Sequence, residues 1–531
     1  MARFTTAATI ECLLWQMRLS EWNRGRNRAR VDSLAGGDPP YPLTEDRSVN
    51  TNDLSLTRLA HDARSQLYQA FDKPANYFKC RTDFGVAHKR SERNSIVTRE
   101  INRVMKRSLP YYECKRSTFA SDVLHGIGPC NWTDSERWRP KPLEISDVLM
   151  PTGTLLTFDN LPFFAIYRAC TAEELYRLTH GPKVDPGWNI KAVDAAIKWA
   201  EENTAKMMGN TWQEYWAPER FGERLRENSG LYASDMVQTI DLLDFYYWDD
   251  AKKTDGWRRK IVFDAWGGYS TYGPAQTMPE KNLIGGRDQF VYNGGDRVYA
   301  RNLNEIVHFQ FADLSAHAPF RYHSVRSLGF MLYDVCHLQN RLRCAFSEAV
   351  FENLLMYMRV KTADDAERAL KIELANRGII DESVTFLSPA ERWQPNPQMA
   401  ELGLNEFKQV ITDNSSGSVQ NQDWSRDRVE KTKFQVVAEV NAMQTIVSAA
   451  LQQAYRYETS EYEEIKRRFF IKNSCDGGVK EFRARCLKQG VPEKLMAGEC
   501  WEVEPERIMG AGNKTMEMAI AQQLMEWTSP G

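Results

Sequence analysis

RYHSVRSLGFMLYDVCHLQNRLRCAFSEAVFENLLMYMRVK, residues 321–361, decides how the rest of this chain is read. Within it Val325, Leu328, Leu332, Val335, Leu338, Leu342, Phe346, Val350 and Leu354 recur at steps of three and four. That period places them along one stripe of a helix. No proline interrupts the stretch, and only Gly329 is a poor helix former. At about 1.5 Å per residue, one helix over this span would measure roughly 60 Å. Globular helices are usually far shorter, so the pattern points to a coiled coil, a membrane span or an assembly element. Arg326, Asp334, Arg341, Arg343 and Glu348 exclude a bilayer. Two readings remain: a long central helix inside an enzyme, or a wall element packed beside its copies in neighbouring subunits.

The surrounding composition bounds both. A chain of 531 residues predicts two to four domains, and 42% hydrophobic residues suffice for a large core. No apolar run is long enough to span a membrane. Glu11 falls where a secretory signal needs its hydrophobic stretch, which argues against export. A net charge of −2 argues against a protein that coats itself in nucleic acid. Local charge differs: Lys79, Arg81, Lys89, Arg90, Arg93, Arg99, Arg103, Lys106, Arg107, Lys115 and Arg116 make residues 77–117 basic. That run could meet phosphate or be a solvated helix face. The ten cysteines include no CxxC pair, so a reduced, cytosolic chain is expected, with Cys336 and Cys344 as small core residues.

Taken in order, residues 10–22 predict a short amphipathic helix, followed by an arginine-rich stretch and a Gly-Gly-Asp-Pro-Pro loop at 36–40. Together they read as a peripheral arm. Helical patterns follow at 55–71, at 95–107 (stopped by Leu109-Pro110) and at 190–208. Between the last two, an apolar strand after residue 161 leads to Thr171 and Glu174, a capping-box start to a helix ending near Gly181. Residues 236–311 are short aromatic and β-branched segments separated by Gly-Gly turns, which predicts a compact β module. After the long helix come a helix closing at Gly378, a strand at 384 with a proline-rich bend, and a helix at 399–411. The polar stretch 411–425, ITDNSSGSVQNQDWS, predicts a mobile loop. A second long helix is expected over 426–469, then a short β or loop region at 479–504 and a Met-rich helix at 514–527.

Chemistry is scarce. No P-loop, G-x-G-x-x-G, G-x-S-x-G or H-E-x-x-H occurs, so no catalytic residue, metal ligand or cofactor is expected and the chain reads as a non-enzyme. His317 and His323 are better suited to tying down the turn into the long helix than to holding metal. The acidic doublets, including Glu463-Glu464, point apart on a helix and do not form an acid/base pair.

Several stretches together resemble the portal (head-to-tail connector) proteins of tailed bacteriophages, most like the short-tailed type. FASDVLHGIGPCNWTDSERWRPKPLEISDVLMPTG (119–153) is similar to that family's helix, glycine turn and wing strand, and RACTAEELYRL (168–178) to the segment that follows. EIVHFQFADLSAHAPFRYHSVRSLGFMLYDVCHLQNRL (305–342) resembles the passage from clip to stem. ESVTFLSPAERWQPNP (382–397) and WSRDRVEKTKFQVVAEV (424–440) resemble a later wing strand and its helix. Two features depart from the family: the loop at 312–322 lacks its Tyr/Phe-Gly-x-Ser, and the N-terminal arm has no counterpart.

The resemblance implies an α+β multidomain, portal-type architecture. Its parts would be an arm (1–54), a wing (55–235), a β-rich clip (236–311), a stem helix (312–361), the rest of the wing (362–410), a tunnel loop (411–425), a long wing or crown helix (426–469) and a helical crown (470–531). The implied function is a ring, of twelve copies in the family, at one capsid vertex. Double-stranded DNA would pass through it without sequence specificity. Terminase, the major capsid protein and a tail adaptor would be its partners, and the virion its location. Leu328, Leu332, Val335, Leu338 and Leu342 would pack stem against stem, with the polar residues, Glu348 and Glu352 among them, toward DNA. Asn414, Ser415, Ser416, Gln420 and Asn421 would be tunnel-loop contacts, and Tyr246, Tyr247, Trp248, Trp257 and Trp266 a clip interface. An acidic wall suits sliding, because each neutralised phosphate would add affinity and slow translocation. The rival readings are another virion component, such as a tail or scaffold protein, and a soluble multidomain hydrolase.

Overall fold

The computed structural model describes residues 7–41, 49–72, 76–84, 87–132, 137–180, 185–207, 239–249, 255–263, 290–295, 297–314, 318–354, 358–360, 384–386, 403–405, 407 and 445–506. The chain is mixed helix and sheet. Helices α1 (Ala7–Gly36) and α2 (Ser55–Asp72) precede strand β1 (Phe78–Arg81), then come α3 (Ala87–Lys106) and α4 (Leu109–His125). Pro110 sits in the first turn of α4, where its missing N–H costs nothing. Gly126 ends α4 at φ 78 and turns the chain into β2 (Ile127–Asn131). Strands β3 (Lys141–Pro142), β4 (Val148–Leu149) and β5 (Phe163–Thr171) follow, then α5 (Ala172–His180) and α6 (Ile190–Met207). Next are β6 (Thr239–Asp249), β7 (Gly256–Phe263), β8 (Tyr292–Asn293) and β9 (Val307–Phe311), leading to α7 (Leu328–Leu354). The pair β10 (Met358–Val360) and β11 (Val384–Phe386) precedes α8 (Thr445–Phe469), α9 (Gly477–Lys488) and β12 (Glu502–Pro505).

The capping box forms as expected. The Thr171 N–H donates to Glu174 Oε2 at 3.2 Å, and the Glu174 N–H donates to Thr171 Oγ1 at 3.1 Å. Strand β5 therefore passes straight into α5.

The predicted β module is not self-contained. Strands β4 to β8 form one antiparallel sheet in sequence order, so β4 and β5, from the stretch expected to be wing, share it with β6, β7 and β8, from the stretch expected to be clip. The last expected clip strand, β9, leaves it to pair with β2, Ile127 opposite Phe311. Alternation along β6 shows why both faces must be covered. Ile240 and Leu242 face α5 and α6, while Tyr246 on the same face meets the β2–β9 sheet. Leu243 and Phe245 point the other way and are covered by Ile10, Leu14 and Met17 of α1. The N-terminal segment is thus a structural layer and not a peripheral arm; its helix also runs well past residue 22.

A larger core joins the helices. Val31 and Leu34 of α1, Leu59 and Phe71 of α2, Val97 and Ile101 of α3, Phe119 of α4, Leu332 of α7, Tyr462 and Ile465 of α8, and Phe482 of α9 form one cluster. Strand β1 pairs with β12 antiparallel, Phe78 opposite Pro505. The described part of the expected crown (470–506) therefore shares a core with the expected wing, and α9 replaces part of the β or loop region predicted there. The basic run lies at this junction and is largely paired. Arg103 meets Glu481 at 2.7 Å and Glu100 at 3.0 Å, Arg81 meets Glu504 at 2.6 Å, and Lys79 meets Glu506 at 3.5 Å.

Candidate functional site

Helix α7 is shorter than the 321–361 helix expected from the sequence. Arg321 forms a β-bridge with Leu155, and residues 322–324 make a single 3-10 turn. Ser327 then caps α7, its Oγ accepting from the Phe330 N–H at 3.1 Å and donating to Leu124 O at 2.6 Å. His323 Nε2 lies 3.2 Å from both Met150 O and Pro151 O, so it does tie down this turn. At the far end, residues 358–360 are strand β10. Gly329 permits the crossing of α7 over α4: a Cβ there would lie 2.5 Å from Leu124 O and 3.0 Å from Leu124 Cα.

One side of α7 belongs to this chain's own core. Leu328, Leu332, Cys336 and Cys344 are buried. Residues 51–53 lie along the helix as a strap. The Asp53 N–H donates to Asn340 Oδ1 at 3.0 Å, Gln339 Nε2 donates to Asp53 Oδ2 at 2.8 Å, and Arg343 pairs with Asp53 at 3.0 Å. The Arg341 guanidinium lies 4.8 Å from the ring centroid of Tyr41. These polar side chains are bound within the chain, contrary to the expectation that they face DNA. Leu328 and Leu332, expected to pack stem against stem, are likewise occupied internally.

The other side is open. Met331 is 39% exposed, Leu338 49% and Val350 40%, with Phe346 and Glu348 half-buried; Val335, also half-buried, packs against the core, and Leu342 lies close to Gly403. Met331, Leu338 and Leu342 follow steps of seven and four, so they share one line on the helix. Glu352 lies in α7, but its side chain falls outside the described set. Of the expected clip contacts, Tyr246 and Trp257 are core: Phe164 stacks on Tyr246 at 5.0 Å and meets Trp257 edge-on at 5.2 Å. Tyr247 is half-buried, Trp248 is exposed, and Trp266 lies outside the described residues. The tunnel-loop residues Asn414, Ser415, Ser416, Gln420 and Asn421 also lie outside them.

Sequence reasoning missed a buried polar centre where α4, α8 and β9 meet. Lys115 Nζ pairs with Glu461 Oε2, and Tyr111 OH donates to Glu461 Oε1 at 3.3 Å. His308 Nε2 is 3.9 Å from Glu461 Oε2, and Ser460 Oγ is 3.5 Å from His308 Nδ1. Burial alone would lower the Lys115 pKa, but Glu461 and Glu458 outweigh it and hold the ammonium charged. Burial pushes His308 down to about 4, with Glu461 pulling partly back and Lys115 adding to the fall. Burial likewise holds the Asp122 carboxyl well above its usual range, against the pull of Lys115 and the Gly128 amide.

Ser460, His308 and Glu461 have the connectivity of a hydrolase triad but not its geometry. The Ser460–His308 contact is long at 3.5 Å, the His308–Glu461 gap of 3.9 Å exceeds hydrogen-bond reach, Ser460 Oγ donates to Tyr457 O at 2.8 Å, and Lys115 holds the carboxylate. A neutral imidazole with so low a pKa is also a weak base at neutral pH. The arrangement fastens α8 to α4 and β9. The spacing Tyr111–Lys115–Phe119–Asp122 was the available signal, since it puts a lysine on the apolar side of α4.

Among the described residues no group of His, Cys, Asp and Glu could hold a metal ion, and no helix is long and apolar enough to cross a membrane. No known protein family and no curated relative matches the chain.

Proposed function

We propose that this protein is a portal-type subunit, assembling with copies of itself into a ring at one capsid vertex. The observation that carries the reading is the two-sided character of α7. One side is fixed to its own chain through Leu332, Cys336 and the strap at residues 51–53, while Met331, Leu338 and Val350 leave apolar surface open on a 27-residue helix. A helix that leaves Met331, Leu338 and Val350 exposed suits side-by-side packing with a neighbouring copy. In this reading the ring encloses a channel for double-stranded DNA in packaging and ejection, and serves first terminase and then a tail adaptor. Glu348 would make part of the wall acidic, and the Ser-, Gly- and Asn-rich sequence of 411–425 suits a loop that narrows it. The order of parts along the chain supports the same reading: a wing strand running into a capped helix, aromatic strands, then the long helix.

The deciding experiment is the solution mass of the purified chain with negative-stain imaging, repeated on Leu338→Glu. A closed ring in the native chain, lost in a variant that keeps its helical circular dichroism, supports the proposal. A monomer or dimer with or without the substitution refutes it.

A further inference from the structure

A cleft of ≈ 1430 Å³ opens between the ends of β6 and β7, the loop at 297–305, and α8 with the 3-10 turn Gly498–Cys500. Pockets for small ligands run to about 300–1,000 Å³, so this one is sized for a longer occupant. Its floor is aromatic. Trp248 is 39% exposed and meets Trp257 edge-on at 5.7 Å, and Phe158 and Tyr457 extend the apolar surface.

The walls are charged unequally. Lys466 is committed to Trp501 O at 2.7 Å, and Arg467 is committed to Glu464 by two bonds of 2.7 Å. Asp159, Glu463 and Glu499 are exposed and have no ion-pair partner among the described residues; Arg301 is the one exposed cation among the lining residues outside those pairs. The Glu463-Glu464 doublet separates as helix geometry requires, Glu464 inward to Arg468 at 2.6 Å and Glu463 outward to the cleft.

We infer that this cleft docks a short peptide segment of a partner protein, with an apolar or aromatic anchor flanked by lysine or arginine. The anchor would lie on Trp248 and Phe158, and the flanking cations would meet Asp159, Glu463 and Glu499. Aromatic floors favour apolar anchors and cation–π contact, and an acidic rim selects against nucleic acid and acidic peptides. The inference does not depend on the ring reading, since the cleft lies within one chain.

The test uses the full-length chain and a fluorescein-labelled hexapeptide, Lys-Lys-Trp-Leu-Lys-Arg, beside a counterpart with every basic residue replaced by Glu, read by anisotropy. Only the basic peptide should bind, with affinity falling about tenfold in Trp248→Ala and in the Glu463→Gln/Glu499→Gln double variant. Binding should also weaken as salt rises from about 0.05 to about 0.5 M. Arg301→Gln should bind as well as the native chain or better. Four outcomes overturn the inference: no binding of the basic peptide by the folded protein, equal binding of both peptides, binding unchanged in both variants, or self-association that Trp248→Ala abolishes without any peptide binding. The last would assign the cleft to a second copy.

Discussion

Replacing Gly329 with alanine should destabilise the protein, against the direction helix propensity predicts. In a helix interior alanine is favoured over glycine by about 1 kcal/mol, an upper bound at Gly329, which lies in the first turn of α7. At this position the new Cβ would lie 2.5 Å from Leu124 O, 3.0 Å from Leu124 Cα and 3.1 Å from Leu124 C. All three are backbone atoms of α4, and the same carbonyl receives the Ser327 hydroxyl at 2.6 Å. Neither helix can yield by turning a side chain, so α7 must move off α4 and loosen Leu328 and Leu332 in the core. Overpacking of this kind costs typically about 1–3 kcal/mol, and contact with backbone places it toward the upper end. The net expectation is a loss of about 1–2 kcal/mol, read as a lower urea midpoint at unchanged slope by far-UV circular dichroism. Gly36→Ala is the matched control. That glycine is helical and a Cβ there meets nothing within 4 Å, so the variant should be neutral or slightly more stable. Gly329→Ala as stable as the native chain would refute the close crossing.

Three further perturbations test other parts of the fold. Thr171→Ala removes half of the capping box and should cost about 1 kcal/mol, measured by the same urea titration. Glu461→Gln leaves Lys115 buried beside Glu458 without its main partner and should cost about 3–5 kcal/mol, whereas Lys115→Met/Glu461→Met should recover much of that loss. His308 has a folded pKa near 4, below its unfolded value of about 6.5, so the unfolded chain binds the extra proton between these limits. Its contribution is therefore full above about pH 6.5 and is lost as pH falls toward 4. Between those limits the native chain should lose about 3 kcal/mol more than His308→Gln, by paired urea titrations; equal losses would contradict the burial of this imidazole.

What could be read from the sequence was local. The Thr171–Glu174 box needs four consecutive residues, and its helix lies where those residues place it. Helices α2 and α6 lie within a residue of their predicted spans for the same reason. The 321–361 stretch misled because its apolar steps begin at Val325, which precedes the helix, and because no proline or glycine after Leu354 marks the helix end before residues 358–360, which pair as a strand. Ser327, three residues before Phe330, was the unread cap. Partner choice was not legible at all. Nothing within residues 239–263 says that β6 pairs with residues 163–171, nor does Phe78 announce Pro505 as its opposite. The role of α1 was hidden likewise, since Ile10, Leu14 and Met17 form a visible stripe whose complement, Leu243 and Phe245, lies more than two hundred residues away.

The open side of α7 is the central claim, and the mass of the native assembly tests it most directly. Light scattering after size exclusion should give a single species many times the 61.2 kDa chain, with a central hole in projection, and Met331→Glu/Leu338→Glu should return it to one chain with unchanged helical content. A native chain that elutes as a compact monomer, or an oligomer indifferent to both substitutions, would contradict the account.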